Sequence, residues 1–130
     1  MISRRLSLDE VVSINALVLG IDRTIATSSV KIGLLHSALQ APFAEFGDID
    51  IYPQDAQRLG ILCSRMVLNH PFLDGNKRTG LIAMLTMASM NGLTLDLPVS
   101  TETDHMILGL AAGETDEEAF CAWVGRYLSP

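Results

Sequence analysis

Apolar positions recur along this chain at the three-and-four spacing of amphipathic helices, with few interruptions. Ser7 and Glu10 form an S-x-x-E capping box, and Val11, Ile14, Leu17 and Val18 repeat behind it until Gly20, predicting a first helix. Asp22 to Ser29 has no clear period and is expected to be loop. A second helix is predicted from Val30 to Gln40, since Pro42 forbids much continuation. Phe43 to Tyr52 differs: Gly47 and the alternation Asp48-Ile49-Asp50-Ile51 predict a loop with a brief extended edge.

Pro53 suits the first turn of a third helix, whose stripe is Leu59, Leu62, Met66 and Val67 and whose end is near Asn69. His70 to Gly75 interrupts as a loop. A fourth, strongly apolar helix is predicted from Asn76 to Met90, stopped by Asn91-Gly92. Leu93 to Val99 is a connector containing Pro98. Ser100 or Thr101 caps a fifth helix that ends at Gly113. Thr115 and Glu118 form a second capping box, and Phe120, Trp123, Val124 and Tyr127 give the last helix its apolar face. There is no internal repeat, low-complexity tract or linker. The expected fold is all-α: residues 1–130 as a single compact helical domain, with a buried central helix following the His70 loop.

Composition narrows the function classes. At roughly 100–200 residues per domain, 130 residues allow one domain. Apolar residues make up 48% and charged residues 18%, below the roughly 25% of an average globular protein, which excludes a disordered chain. Two cysteines, Cys63 and Cys121, cannot build a zinc framework or a multi-bridge secreted scaffold, so small core residues in a reducing, cytoplasmic setting are expected. The net charge of −6 argues against a broad phosphate-backbone footprint and so against direct nucleic-acid binding. Asp9 and Glu10 interrupt the stretch where a signal peptide needs its apolar core. The apolar run Leu81 to Met90 falls well short of the roughly 20 residues of a membrane span, so a soluble protein with no membrane contact is expected.

Chemistry concentrates in His70-Pro71-Phe72-Leu73-Asp74-Gly75-Asn76-Lys77-Arg78-Thr79-Gly80. Gly75 and Asn76 start a buried helix, where free backbone N–H groups and the dipole favour an anion. Lys77 adds a point charge and Arg78 a planar fork, two ways of holding phosphate oxygens. In the first turn these cations oppose the dipole unless an anion is bound. Asp74 is a hard oxygen ligand suited to Mg²⁺ against the same phosphates, and it is also expected to cap the helix. His70 carries an imidazole, the side chain suited to act as a general base on a hydroxyl. Phe72 is expected to wedge the loop into the core. Base, metal ligand and phosphate cradle point to phosphoryl-type transfer from a nucleotide. His36 and His105 are expected at the surface, and Met84, Met87 and Met90 in the core.

This segment resembles the signature of the Fic/Doc superfamily, H-x-F-x-D/N-A/G-N-K-R in its Doc branch. Leu8-Asp9-Glu10-Val11, Gly33-Leu34-Leu35-His36-Ser37-Ala38-Leu39 and Ala111-Ala112-Gly113-Glu114 resemble family segments in family order. The resemblance implies a toxin of a toxin–antitoxin module. It implies a protein kinase that uses ATP and Mg²⁺ to phosphorylate a Thr or Ser hydroxyl of a translation factor, elongation factor Tu by resemblance, arresting translation. By the same resemblance His70 is the catalytic base, Asp74 the metal ligand, and Gly75, Asn76, Lys77 and Arg78 the phosphate-binding residues. A small cognate antitoxin is the implied partner, its helix folding into a groove near the site. The Phe43 to Tyr52 segment corresponds to the flap that aligns a target peptide. The AMP-transferring Fic branch reads H-x-F-x-x-G-N-G-R-x-x-R; here Lys77 replaces its second glycine and Leu81 its second arginine. Both departures favour a nucleotide presented with its γ-phosphate at the base. Val30-Lys31-Ile32 stands where many relatives carry an Arg-Asp pair, a departure that leaves the identity of the target open. The alternatives are a Fic-type AMP-transferase and a catalytically silent module that binds an antitoxin or the translation machinery.

Overall fold

The reciprocal cap expected at Ser7 forms: Ser7 Oγ accepts from the Glu10 N–H at 3.1 Å and Glu10 Oε1 accepts from the Ser7 N–H at 2.9 Å. It starts helix α1 (Leu8–Leu19), which Gly20 closes in the left-handed conformation. The computed structural model describes all residues from Met1 to Pro130. The segment expected as loop after Gly20 is instead a short helix, α2 (Arg23–Ser29), meeting α1 at 116°. Asp22 caps it, accepting from the Thr24 N–H at 2.8 Å. Ala26 is its one buried residue, which is why no apolar period marks it. The next helix, α3 (Ile32–Gln40), begins two residues later than expected, because Val30 ends α2 and Lys31 is extended.

A 3₁₀ turn over Ala41–Phe43 follows, placing Pro42 where a missing N–H is harmless. The brief extended edge is a two-residue hairpin: β1 (Glu45–Phe46) pairs antiparallel with β2 (Ile49–Asp50) around Gly47, whose φ is +62°. Helix α4 (Asp55–Asn69) starts later than Pro53 suggests. Pro53 lies outside the helix, Gln54 is the N-cap, and Gln57 Oε1 accepts the Gln54 N–H at 2.9 Å. Arg58, itself buried, fixes the hairpin to α4. It donates to the carbonyls of Tyr52 (3.0 Å) and Ile2 (2.8 Å) and to the Asp50 carboxylate (3.0 Å).

After the His70 loop comes α5 (Asn76–Met90), with Met84, Met87 and Ala88 buried and Met90 half-buried. Its stop residue Asn91 also receives the N–H groups of Ser3 and Arg4, at 3.0 and 2.8 Å, tying down the N-terminal segment. Part of the expected connector is paired: β3 (Thr94–Leu95) lies antiparallel to β4 (Leu128–Ser129) at the C-terminus. Between them are α6 (Thr101–Ala112), capped by Ser100, and α7 (Glu117–Arg126). The cap of α7 is Asp116, accepting from the Ala119 N–H at 2.7 Å, and not Thr115 as the T-x-x-E pattern predicts. The Thr115 N–H is already bonded to the Gly109 carbonyl at the end of α6. The architecture is all-α, seven helices with two minimal strand pairs. One cluster of 23 buried apolar residues draws on every helix, centred on α4 and α5. No single helix is long and apolar enough to cross a membrane.

Candidate active site

The chain leaves α4 through His70, whose backbone is left-handed (φ 52°, ψ 54°). It is the one residue other than glycine with positive φ. This reversal sends Pro71 and Phe72 inward: both are buried, and Phe72 joins the core as the expected wedge. Four anchors fix the loop. The Lys31 N–H donates to the Pro71 carbonyl at 2.8 Å, binding it to the start of α3. The buried side chain of Asn76 spans Phe72, accepting its N–H at 2.9 Å and donating to its carbonyl at 3.0 Å. Asn15 of α1, 1% exposed, donates to the Asp74 carbonyl at 3.0 Å and to Thr79 Oγ1 at 3.2 Å. Gly75 completes the turn with φ +74°. A Cβ there would come within 3.0 Å of Leu19 Cδ2 and 3.2 Å of Val18 Cγ1, so only glycine lets α1 sit this close.

His70 Nδ1 lies 3.0 Å from the Val67 carbonyl, one turn back in α4. A carbonyl can only accept, so the bond requires the proton on Nδ1 and, in the neutral ring, leaves the Nε2 lone pair free. The ring is exposed and lines an open cavity of about 560 Å³ together with Asp74, Gly75, Asn76, Lys77 and Arg78. The N–H groups of Asn76, Lys77 and Arg78, the first of α5, have no acceptor within the protein. Lys77 and Arg78 are exposed and take part in none of the four ion pairs. Donors and cations therefore converge on one space without a bound protein acceptor: the carboxylates of Asp74 and Asp104 also line it, but neither forms an ion pair with Lys77 or Arg78. Asn76 belongs to this cradle through its backbone N–H, because its side chain is occupied by Phe72.

Asp74 is exposed at the rim, and its Oδ1 accepts the Gly75 N–H at 2.7 Å. Gly75 is itself the cap residue, so Asp74 does not fill the capping role expected of it; it tightens the turn before the helix. One carboxylate oxygen is left for a cation. No group of three or more His, Cys, Asp or Glu side chains gathers around it. A lone carboxylate beside a cradle that favours anions fits Mg²⁺, which takes one or two carboxylates and completes its shell with phosphate and water. It does not fit zinc.

Sequence reading missed three parts of the site. Asn15 is signalled in the sequence by a lone amide on the apolar face of α1. Asp104 and the apolar residues Ile107 and Leu108 reach the cavity from α6, more than twenty residues beyond the motif, and no local pattern marks them. Val18 and Leu19 form the facing wall from α1. His36 and His105 are exposed and away from the cavity, as expected. Cys63 and Cys121 are buried and unpaired; burial pushes their thiols up to about 12 and about 11, so they are inert packing residues.

The domain is helical, and its central helix begins at a histidine loop and a set of free N–H groups. The chain belongs to the Fic/DOC family, whose model matches residues 5–88, and its H-x-F-x-D-G-N-K-R loop places it in the Doc branch. It is 36% identical over 76 residues to the Toxin Doc of Mycolicibacterium smegmatis (strain ATCC 700084 / mc(2)155). That match covers 57% of this chain and 58% of the relative's length.

Proposed function

We propose that this protein is the toxin of a toxin–antitoxin module and a protein kinase that moves the γ-phosphoryl group of ATP to a Thr or Ser hydroxyl of a translation factor. Elongation factor Tu is the target implied by family resemblance, and a small antitoxin is the implied partner. One observation carries the reading: the free Nε2 of His70 and the unsatisfied N–H groups at the start of α5 open into the same cavity.

The chemistry follows from those positions. His70 Nε2 takes the proton of the acceptor hydroxyl as its oxygen bonds to the γ-phosphorus. The bond from that phosphorus to the β–γ bridging oxygen breaks, and ADP leaves with the electron pair. The first N–H groups of α5, with Lys77 and Arg78, hold the phosphate oxygens whose charge shifts during transfer. Lys77 occupies space that an α-phosphate would need in an AMP-transferring site, and Leu81 lines the cavity without the charge of a second arginine. Mg²⁺ at Asp74 would offset phosphate charge. The exposed hairpin residues Phe46 and Ile49 give a target peptide an edge to pair with.

Induced expression in a bacterial host tests the reading. The protein should arrest translation and growth, and co-expression of the cognate antitoxin should restore both. His70→Ala, accumulating to the same level, should leave growth normal. Arrest by His70→Ala equal to that of the wild type would overturn the assignment.

A further inference from the structure

Two unlike sets of residues line the cavity. One is the anion-favouring run Gly75 to Arg78. The remainder is walled by Val18 and Leu19 from α1 and by Ile107 and Leu108 from α6, and a single carboxylate, Asp104, stands on that second wall. Asp104 lies three and four residues before Ile107 and Leu108, so all three share the face of α6 that meets the cavity. It takes part in none of the molecule's ion pairs, although Lys77 and Arg78 line the same space.

An unpaired carboxylate repels polyphosphate, so it is a poor feature of a site that binds phosphate alone. A nucleotide solves the conflict, because its uncharged half carries hydrogen-bond donors: the exocyclic amine of the base and the hydroxyls of the ribose. Apolar walls suit the faces of the base, and a carboxylate suits its donors. We propose that Asp104 accepts a hydrogen bond from the nucleoside half of the bound nucleotide and makes the site specific for a nucleotide over bare polyphosphate. The inference rests on the phosphate-cradle reading and extends it to the rest of the ligand. Asp104 is thus a specificity-determining residue that takes no part in the proton or phosphoryl transfer.

The test is a binding titration of the full chain with Mg²⁺ present, using the β,γ-imido analogue of ATP and, separately, inorganic tripolyphosphate. Asp104→Ala should weaken the analogue about ten-fold or more, the loss expected for a charge-assisted hydrogen bond, and leave tripolyphosphate unchanged or tighter. Asp104 is exposed, so the variant should fold, and a melting curve checks this. Equal weakening of both ligands would assign Asp104 to the metal and overturn the proposal, as would no change in either. If the wild type binds tripolyphosphate as tightly as the analogue, the nucleoside contact fails while the cradle stands. If it binds neither, the cradle reading fails as well. The inosine and 2′-deoxy counterparts locate the donor: indifference to Asp104→Ala with the first assigns it to the base amine, and with the second to the ribose hydroxyl.

Discussion

At His70 the backbone works against its own side chain. The left-handed conformation at a helix end is glycine's by preference, and a residue with a Cβ is held there at a cost of about 1–2 kcal/mol. In exchange, the reversal brings Nδ1 to the Val67 carbonyl and turns the ring toward the cavity. Strain of this kind persists where function needs the geometry. His70→Gly and His70→Ala both remove the imidazole and its hydrogen bond, and differ only in their tolerance of positive φ. In denaturant unfolding the glycine variant should be more stable than the alanine variant by about 1 kcal/mol, with both strongly impaired in phosphate transfer. Equal stabilities would mean that the left-handed turn is not enforced. The loop's chemistry was legible in the sequence because its residues are contiguous: a helix start, its glycine and its cations occupy one short run. What the run could not reveal was the split role of Asn76, whose side chain clamps Phe72 while its N–H joins the cradle. Nor could it reveal Asn15 or Asp104, which fold brings in from α1 and α6.

The helices whose buried faces are wide were legible as elements, and α2, with one buried residue, was not. Leu59, Leu62, Met66 and Val67 announce α4 because all four are buried. Two turns of α2 leave no such mark. Asp22 starts it, and the hydroxyls of Thr27 and Ser29 bond back to the carbonyls of Arg23 and Ile25. The start of α7 was misplaced by one residue because Thr115 and Asp116 are both good caps, and the end of α6 already uses Thr115. Helices α4 and α7 are joined by charge as well as by packing. Arg65 forks onto Glu117, Nε to Oε2 at 2.8 Å and Nη2 to Oε1 at 3.2 Å, and Ser64 Oγ donates to Oε2 at 2.7 Å. Burial pushes the Glu117 carboxyl up, but the bonds from Arg65 and Ser64 and the Arg65 charge outweigh it and hold it below its ordinary value of 4.5. A carboxyl lowered by folding stabilises the native state above its unfolded pKa and loses that contribution as pH falls through the folded one. Glu117→Gln should therefore be less stable than wild type at neutral pH, with the gap closing below about pH 4.5 as the wild-type carboxylate protonates. Urea midpoints across that range would show it, and a gap constant with pH would refute the ionic account of this contact.

Across the whole molecule the cavity is a meeting of distant segments. Helix α1 supplies one wall and the Asn15 anchor, α6 the other wall, and the loop into α5 the proposed base and the N–H cradle. Helix α4 carries His70 on its end, and its packing on α5 and α7 through the core makes that end a rigid mount. The chain carries a net charge of −6, so the unpaired Lys77 and Arg78 form a local cationic spot in an acidic protein. Such a distribution suits a small anionic ligand better than an extended phosphate backbone. The central claim, that His70 and this cradle transfer the terminal phosphoryl group of ATP, is tested most directly with purified protein, a bacterial lysate and ATP labelled at either the α- or the γ-phosphorus. The wild type should pass only the γ label to a protein hydroxyl, and His70→Ala should lower that rate by about 10²–10⁴. Transfer of the α label by the wild type, or undiminished γ transfer by His70→Ala, would contradict it.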